Sequence, residues 1–305
     1  MHAGGAYPRD ARFLSSRERL AVADIDRLVR AFVALGVTKV RLTGGEPLLR
    51  RDLADIVAAV AAIDGVCDLA LTTNGALLAR EAADLRAAGL RRLTVSLDAL
   101  DPALFARLSG GRGKVGDVLA GIAAAERAGF GPLKINCVVE RGVNESETIA
   151  LLTHFRGSGH IVRFIEAMDV GTCNGWTRAS VVDSRELVER IGARWAIEPL
   201  EANYRGEVAS RWRFVDGAGE FGFVSSISAP FCGDCHRARV SADGHLYTCL
   251  FASQGHDLRD LLGAPDALRA RIAAVWGARA DRYSELRGER AAASPARIEM
   301  YRIGG

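Results

Sequence analysis

The stretch Val37-Thr38-Lys39-Val40-Arg41-Leu42-Thr43-Gly44-Gly45-Glu46-Pro47 shows the unit from which the first two hundred residues are built. Its first six residues form a short, mainly apolar run, which is typical of a strand. Two glycines and a proline follow closely and predict a tight turn. A helical pattern over residues 22–35 precedes the run and stops at Gly36. The unit is therefore a helix, a strand and a turn that carries polar groups.

The same unit recurs along the chain. Helical patterns alternate with short runs rich in Val, Ile and Leu, which predicts an α/β fold with a parallel sheet. Polar residues gather at the C-terminal ends of the runs, where parallel α/β barrels keep their chemistry. A barrel-like sheet explains this better than an open doubly wound sheet, which is the alternative. The predicted strands are 37–42, 69–72, 93–97, 133–139 and 161–165, and the predicted helices are 22–35, 52–63, 79–88, 115–128 and 147–155.

The chain opens on a loop and a helix, with no strand before them. A barrel built from βα units should begin with a strand, so we predict a partial TIM-like (βα) barrel whose first strand is missing. The sequence changes character after Asp169, and a domain boundary is expected near residue 199. We assign the barrel to residues 1–198 and a second, C-terminal domain to residues 199–305. The predicted elements after Asp169 are helices 184–191 and 262–276 and strands 210–215 and 222–226.

Composition limits the class of protein. The 305 residues are 49% hydrophobic and 25% charged, as in an ordinary soluble globular protein. A net charge of +3 is too small to argue for a nucleic-acid partner. The sequence shows neither an apolar run long enough to cross a membrane nor a signal-peptide core near its start. We therefore expect a cytoplasmic protein that binds neither nucleic acid nor membrane.

Half of the six cysteines lie in one short stretch, residues 231–251. Cys232 and Cys235 have two residues between them, and Cys249 follows further on. Cytoplasmic thiols stay reduced, so this spacing indicates a metal site rather than disulfides. Arg237 and Arg239 lie between the cysteines and are suited to bind an anion in a bidentate manner. The stretch therefore predicts a metal site that also receives a phosphorylated ligand.

The spacing leaves the metal open. Zinc is one alternative, because His236 or His245 could complete a four-ligand structural site. An iron–sulfur cluster with one iron left to another ligand is the second alternative. Cys67 and Cys137 lie in apolar runs and are interpreted as small core residues.

The turn 44–47 is the second candidate for a functional motif. Its two glycines remove side chains, which lets a ligand approach the backbone, and Pro47 stiffens the loop. Glu46 then offers a carboxylate for an amine group. A plain loop with an exposed glutamate is the alternative for an isolated motif. Thr72, Ser96 and Met168 at other strand ends favour a common binding mouth.

Six short motifs occur in order, and together they resemble one family. The family is that of the radical S-adenosylmethionine enzymes of molybdenum cofactor biosynthesis, the GTP 3′,8-cyclases, also called molybdenum cofactor biosynthesis protein A. The likeness runs from the first residue to the terminal Gly304-Gly305. The motifs are LTGGEPLLR at 42–50, TTNG at 72–75, VSLD at 95–98, RFIE at 163–166, MDVG at 168–171 and FCGDC at 231–235.

The resemblance implies two cofactors, a substrate and the residues that hold them. Cys232, Cys235 and Cys249 match the ligands of a C-terminal [4Fe–4S] cluster, which favours iron over zinc and leaves one iron open to the guanine of GTP. Gly304 and Gly305 match a tail that reaches into the active site. The positions that match S-adenosyl-L-methionine contacts are Gly45, Ser96 and Met168. The positions that match GTP contacts are Arg41, Thr72, Lys134, Arg237 and Arg239.

The positions of Arg41 and Lys134 in the sequence indicate a role for them independently of the resemblance. A lone charge is usually solvated at the surface, but each of these two lies on an otherwise apolar strand. A triphosphate requires several cations. We therefore interpret both side chains as facing inward to a ligand.

The implied activity is a radical-based lyase reaction that converts GTP to (8S)-3′,8-cyclo-7,8-dihydroguanosine 5′-triphosphate, the first step of molybdopterin biosynthesis. It requires a reductant, and a protein that forms the cyclic pyranopterin would act downstream. The alternative is a catalytically inactive GTP-binding relative with a single C-terminal metal cluster. The resemblance leaves open whether the protein is a monomer or a homodimer.

One part of the family pattern is missing. The family carries a Cys-x3-Cys-x2-Cys run that holds a second [4Fe–4S] cluster, and this sequence has no such run. Either the start was assigned to an internal methionine, or the chain lacks that cluster. The suitability of every other site position favours the first explanation. As written, this chain alone is not expected to perform the reaction.

Overall fold

The helices and strands of the first half follow the predicted order. The structure is a computed structural model, and it describes residues 14–171, 175–287 and 298–300. None of the helices in these ranges is long and apolar enough to cross a membrane. The strands are β1 Lys39–Leu42, β2 Asp68–Thr73, β3 Arg92–Ser96, β4 Lys134–Val139 and β5 Ile161–Glu166. The helices are α1 Val22–Val33, α2 Leu53–Ala61, α3 Leu78–Ala87, α4 Pro102–Leu108, α5 Val115–Arg127 and α6 Glu147–Phe155.

Helix α4 was missed by the sequence analysis, although its start has a clear local cause. The side chain of Asp101 accepts a hydrogen bond from the backbone N–H of Leu104 at 2.7 Å. Pro102 follows as the first helical residue, where its missing N–H costs nothing. The helix is only seven residues long, which is too short to show a helical period in the sequence.

The larger sheet continues beyond the five predicted strands. Its order is β1-β2-β3-β4-β5-β8-β7-β6, where β6 is Ile197–Leu200, β7 is Ser210–Phe214 and β8 is Glu220–Val224. Strands β1 to β5 and β8 pair in parallel, β7 pairs antiparallel with β8, and β6 pairs antiparallel with β7. The predicted boundary near residue 199 therefore falls inside β6, in a sheet shared by both halves. The division at that residue stays a prediction.

Aromatic side chains fix β8 against β5. Phe164, Phe221 and Phe223 are almost completely buried. The ring centroids of Phe164 and Phe223 lie 6.0 Å apart, and those of Phe221 and Phe223 lie 5.8 Å apart. Burying each such ring contributes roughly 1.5–3 kcal/mol. This packing joins the C-terminal half to the barrel strands.

The prediction that both Cys137 and Cys67 are buried core residues is confirmed for Cys137 only. Cys137 is buried in the main core, as predicted. Cys67 is exposed, so its interpretation as a core residue was wrong. It precedes β2 in a turn, where its N–H donates to the carbonyl of Thr38 at 2.9 Å. The apolar run in the sequence began before the strand itself, which misplaced the side chain.

A second, small sheet carries the cysteine stretch. It contains β9 Arg239–Val240, β10 His245–Tyr247 and β11 His256–Asp257 in the order β11-β10-β9. Its Leu246 packs in a separate apolar cluster with residues of α1 and of α8 Pro265–Gly277. Helix α7, Ser184–Gly192, lies between β5 and β6 in the chain. The small sheet is thus anchored on the helical side of the barrel.

An ion pair joins the end of β5 to the C-terminal segment. Arg287 Nε lies 3.0 Å from Asp169 Oδ1, and only 12% and 9% of the two side chains are exposed. Tyr283 donates its hydroxyl to Asp169 Oδ2 at 2.5 Å, and Arg287 also donates to the carbonyl of Ser226 at 3.1 Å. The Tyr283 ring stacks on Phe251, with centroids 4.4 Å apart. The contact holds the C-terminal segment beside the residues that follow β5.

We expect Asp169→Asn to lower the free energy of unfolding by about 3 kcal/mol, because it leaves the buried Arg287 guanidinium without its carboxylate. Urea denaturation measures the change. The matched control is Asp266→Asn on α8, whose carboxylate is 88% exposed and pairs with Arg269. That variant should lose less than about 0.5 kcal/mol. Equal small losses in both variants would show that the Asp169 pair does not join the two halves.

Candidate active site

Arg41 lies on β1, at one edge of the larger sheet, and two threonines of the neighbouring strands hold its side chain. Its Nη1 donates to Thr72 Oγ1 at 2.9 Å and to Thr94 Oγ1 at 3.1 Å, on β2 and β3. Solvent reaches the surface of Arg41, yet enough protein surrounds the guanidinium that lost hydration lowers its pKa, with a further contribution from Arg92. These two observations describe a side chain in a water-accessible channel. The inward orientation predicted for Arg41 agrees with this geometry.

Lys134 and Arg163 bring two more cations into the same channel. Burial lowers the pKa of Lys134 to about 8, and the positive charges of Arg163, Arg92 and Arg41 lower it further. Burial also lowers the pKa of Arg163, followed by the charge of Arg41. Among these cations, Arg92 has a carboxylate partner, since its Nε lies 2.7 Å from Oδ1 of Asp68. No ion pair is recorded for Arg41, Lys134 or Arg163 within the described ranges.

Arg239 brings a cation from the C-terminal half. Burial lowers its pKa to about 10, and the charges of Arg237 and Arg41 act in the same direction. Its Nε is buried and has no hydrogen-bond partner among the residues that the structure describes. A buried guanidinium N–H without an acceptor is costly unless a ligand supplies one. We call Arg41, Lys134, Arg163 and Arg239 the cation cluster.

Two residues of the channel were not assigned by sequence. Arg163 was not identified as a site residue, although it is a cation on an otherwise apolar strand. The same pattern identified Lys134. Asn136 is paired in register with Ser96 on one side and Arg163 on the other. Its Oδ1 is buried without a hydrogen-bond donor in the described part of the chain. Asn136 therefore offers an acceptor to a ligand in the channel.

The three residues matched to S-adenosylmethionine lie at the C-terminal ends of alternate strands. Gly45 follows β1, Ser96 ends β3 and Met168 follows β5. Because these strands are parallel, their C-terminal ends face one edge of the sheet. The structure thus places all three at the predicted mouth. That they hold the cofactor stays a prediction.

Glu46 has a structural role that the sequence analysis did not foresee. Its carboxylate accepts hydrogen bonds from Leu48 N at 2.9 Å, Thr73 Oγ1 at 2.7 Å and Asn74 N at 2.7 Å. Burial raises its pKa, and these donors oppose the rise. Two of these bonds go to Oε1 and one to Oε2, so Oε2 can still accept a further hydrogen bond. That this acceptor receives an amine stays a prediction. Glu46 ties the loop after β1 to the loop after β2 and so shapes the Gly44-Gly45 turn.

The chain path explains how Cys249 returns to the other two cysteines. The N–H of Cys235 donates to the carbonyl of Cys232 at 3.1 Å and closes a turn. Strands β9 and β10 then form a hairpin, in which Tyr247 pairs with Arg239. Cys249 follows two residues after Tyr247, so the hairpin brings it back toward the turn. All three thiols are free and half-buried.

The surroundings of these thiols favour their anionic form unequally. Burial alone would raise the pKa of Cys235, but the N–H and the guanidinium of Arg237 outweigh it and the pKa lies below its usual value. Arg237 Nη2 is 3.1 Å from the sulfur of Cys235. Burial raises the pKa of Cys249, to which Cys232 and Cys235 add by their charges. The three sulfurs are therefore near enough to influence one another.

The structure does not assemble a metal centre from these groups. In the described residues, no three His, Cys, Asp or Glu side chains are arranged to hold one ion. The histidines of the zinc alternative contact their own neighbours: His236 Nδ1 lies 3.1 Å from the Asp234 carbonyl, and His245 Nδ1 lies 3.3 Å from Asp243 Oδ1. Cys173, Gly304 and Gly305 lie outside the described residues. The ligand set stays a prediction.

Comparison with known proteins defines the class. Residues 7–155 match the family model of the radical SAM superfamily, and residues 160–285 match that of Molybdenum Cofactor Synthesis C. A crystal structure of Streptococcus suis SuiB bound to precursor peptide SuiA has a similar fold, with a TM-score of 0.60 and 16% identity. The match covers 89% of this chain and 63% of that chain. The prediction of a partial TIM-like α/β barrel is confirmed.

Curated relatives define the family more closely. A GTP 3′,8-cyclase of Xanthomonas axonopodis pv. citri (strain 306) is 63% identical, over 98% of this chain and 89% of its own length. A GTP 3′,8-cyclase of Acidothermus cellulolyticus is 54% identical, over 90% of this chain and 78% of its own length. The chain belongs to the GTP 3′,8-cyclase family. The resemblance that the motifs predicted is confirmed, and membership of the radical SAM superfamily implies a [4Fe–4S] cluster and S-adenosylmethionine as cofactors.

The cation cluster makes a prediction that does not depend on the nucleotide. Inorganic tripolyphosphate should raise the melting temperature, because it binds the folded protein by adding several negative charges beside these cations. Arg163→Gln should reduce that rise by at least half, as should Lys134→Gln. The control is Arg213→Gln, whose guanidinium is exposed and pairs with Glu198. A full rise in Arg163→Gln, measured by differential scanning fluorimetry, would remove Arg163 from the anion site.

Proposed function

We propose that the protein converts GTP to (8S)-3′,8-cyclo-7,8-dihydroguanosine 5′-triphosphate, the first step of molybdopterin biosynthesis. The observation that carries this proposal is the cation cluster inside a barrel of the radical SAM type. Several partly desolvated positive charges with few carboxylate partners suit a ligand with several negative charges, as a triphosphate has. The names of the curated relatives support the cyclase over the inactive alternative.

Each cation has a distinct part in holding GTP. Arg41 is fixed by two threonine hydroxyls, so it presents one orientation to a phosphate. Arg163 and Arg239 offer planar guanidinium groups that can each bind two phosphate oxygens, while Lys134 contributes a point charge. Arg237 acts beside Cys235 and can reach the same ligand from the C-terminal half. Thr72, already an acceptor for Arg41, lines the site next to them.

We assign the C-terminal cluster to Cys232, Cys235 and Cys249. The donor type fits, because thiolates are the usual ligands of iron–sulfur clusters and these thiols are half-buried near Arg237 and Arg239. The described side chains are not arranged as a complete metal centre. Three thiolates leave one iron of a [4Fe–4S] cluster open to a further ligand, which the guanine of GTP would supply. The run of cysteines that holds the family's other cluster does not occur in this sequence, and no residue here is assigned to it.

The protein's own contribution is orientation. When bound, the cofactors supply the one-electron chemistry that activates the ribose of GTP. The cation cluster fixes the triphosphate and the cysteine side fixes the base, so the ribose between them is held in one position. Gly45, Ser96 and Met168 would hold S-adenosylmethionine at the mouth of the barrel. The Glu46 contacts keep that mouth in shape before the ligand arrives.

The proposal extends to partners. A reductant supplies electrons, and the protein that forms cyclic pyranopterin takes the product. We propose that the reaction takes place in the cytoplasm, where thiols stay reduced. The proposal is compatible with a monomer or a homodimer.

Binding of GTP should depend on pH through Lys134. Its pKa of about 8 in the free protein rises when phosphates approach, because they favour the ammonium form. Affinity should therefore be full below pH 7 and weaken by up to about tenfold per unit above pH 8. Isothermal titration calorimetry from pH 6.5 to 9.5 measures it.

Lys134→Arg is the matched control for the pH profile, since arginine stays charged throughout this range. It should bind GTP with little pH dependence between pH 7 and 9. The assignment of Lys134 would be wrong if this variant and the wild type gave the same profile.

Arg239→Ala and Cys249→Ala should separate the two functions of the C-terminal half. After anaerobic reconstitution, Arg239→Ala should retain its iron and lose at least tenfold in GTP affinity, because a buried cation is removed. Cys249→Ala should lose most of its iron. Iron analysis and calorimetry measure both. Zinc in place of iron in the reconstituted wild type would overturn the cluster assignment.

A further inference from the structure

The connection between β6 and β7 closes one side of the channel. A cavity of about 230 Å³ lies between this connection and the starts of β4 and β5. Lys134 and Arg163 line it from the barrel, and Asn203 and Glu207 line it from the connection. A carboxylate therefore faces the cavity that holds two members of the cation cluster.

The carboxylate of Glu207 is held by its own turn. Its Oε2 accepts a hydrogen bond from Asn203 N at 2.7 Å, and its Oε1 lies 3.3 Å from Asn203 Nδ2. The N–H of Glu207 donates to the carbonyl of Tyr204 at 3.1 Å. These bonds keep a short turn, residues 203–207, folded around the acid. The position of the charge is thus set by the turn and not by the cations.

The turn is attached to the rest of the protein by one hydrogen bond at its start, from Arg211 Nη1 to Asn203 Oδ1 at 2.9 Å, and by two exposed contacts. Arg205 pairs with Asp234 at 2.8 Å, with 90% and 51% of the side chains exposed. Lys39 Nζ lies 3.7 Å from the centroid of the Tyr204 ring. Exposed contacts of this kind contribute little to stability. These two contacts therefore oppose a movement of the turn only weakly, while the Arg211 hydrogen bond holds its first residue.

Among the described residues, Glu207 is the carboxylate whose charge acts on both Lys134 and Arg163 and that has no cation partner of its own within ion-pair distance. Its negative charge acts on both cations. Asp68, the acid near Arg92, is bound to that arginine, and Glu220, the other acid of the cavity, lies 2.8 Å from Arg211. The remaining groups that face the two cations are Arg41, Arg92 and the phenol of Tyr204.

We propose that Glu207 is an internal counter-ion, which compensates Lys134 and Arg163 in the free protein and gives way to the triphosphate of the substrate. The inference rests on the proposed function, since it requires a polyphosphate in the channel. A triphosphate carries several charges and displaces one carboxylate by competition for the same cations. Glu207 thereby keeps the empty channel stable and weakens substrate binding by the same interaction.

If Glu207 is a counter-ion, removing its charge should lower the stability of the free protein but raise its affinity for polyphosphate. Removing the charge of Glu207 leaves the cations uncompensated, so the free protein becomes less stable. It also removes the competitor and a repulsion, so a polyphosphate binds more tightly. A side chain with a merely structural role would lower both stability and affinity when changed.

The test compares Glu207→Gln with the wild type and with Glu201→Gln, a control at the start of the same connection. Thermal unfolding gives the stability of the free proteins, and calorimetry gives Kd for GTP and for tripolyphosphate. We expect Glu207→Gln to melt at a lower temperature and to bind both ligands about tenfold more tightly. Glu201→Gln should match the wild type, and Glu207→Asp, which keeps the charge, should bind within about threefold of it.

Unchanged or weaker binding of both ligands by Glu207→Gln would overturn the inference. If the wild type binds tripolyphosphate but not GTP, the proposed function fails, and tripolyphosphate alone still decides the role of Glu207. If the wild type binds neither ligand, the proposed function and the inference both fail.

Discussion

Repulsion among cations in the barrel is the constraint on which the site depends. Burial is the largest cause that lowers the pKa values of Arg41, Lys134, Arg163 and Arg239, and neighbouring cations lower each pKa further. A cluster of this kind persists in a folded protein only where packing holds it and an anion compensates it. The fold supplies the packing. In the free protein the proposed counter-ion is Glu207, and in the complex the anion is the triphosphate of the proposed substrate.

Two separate sheets carry the four cations and bring them together. Parallel pairing places Arg41, Lys134 and Arg163 on strands of one sheet, whose inner face forms the channel. Arg239 arrives from a small separate sheet, which is fixed by its own apolar cluster on α1 and α8. The aromatic contact between β5 and β8 and the Asp169–Arg287 pair then join the two parts. The site is complete only when both sheets are in place.

Much of this could be predicted from the sequence, for physical reasons. Helices and strands of the first half have strong periodic patterns, and the motifs at strand ends identified the mouth of the barrel. Short elements such as α4 and β6 were missed because they contain too few residues to show a period. The structural role of Glu46 was missed because a carboxylate that accepts three hydrogen bonds from its own loops has the same sequence signature as an exposed one. Glu207 lies in a turn without any motif, so only the three-dimensional arrangement reveals its proximity to Lys134 and Arg163.

The most direct test of the cation cluster compares how the affinity for GTP and the affinity for guanosine depend on salt concentration. Calorimetry between 50 and 500 mM KCl would be done on the reconstituted protein. The account predicts that GTP affinity falls steeply with salt, because the triphosphate is held by the cation cluster, while guanosine affinity stays nearly constant. Equal, shallow dependence for both ligands would show that the cation cluster does not hold the triphosphate and would contradict the central claim.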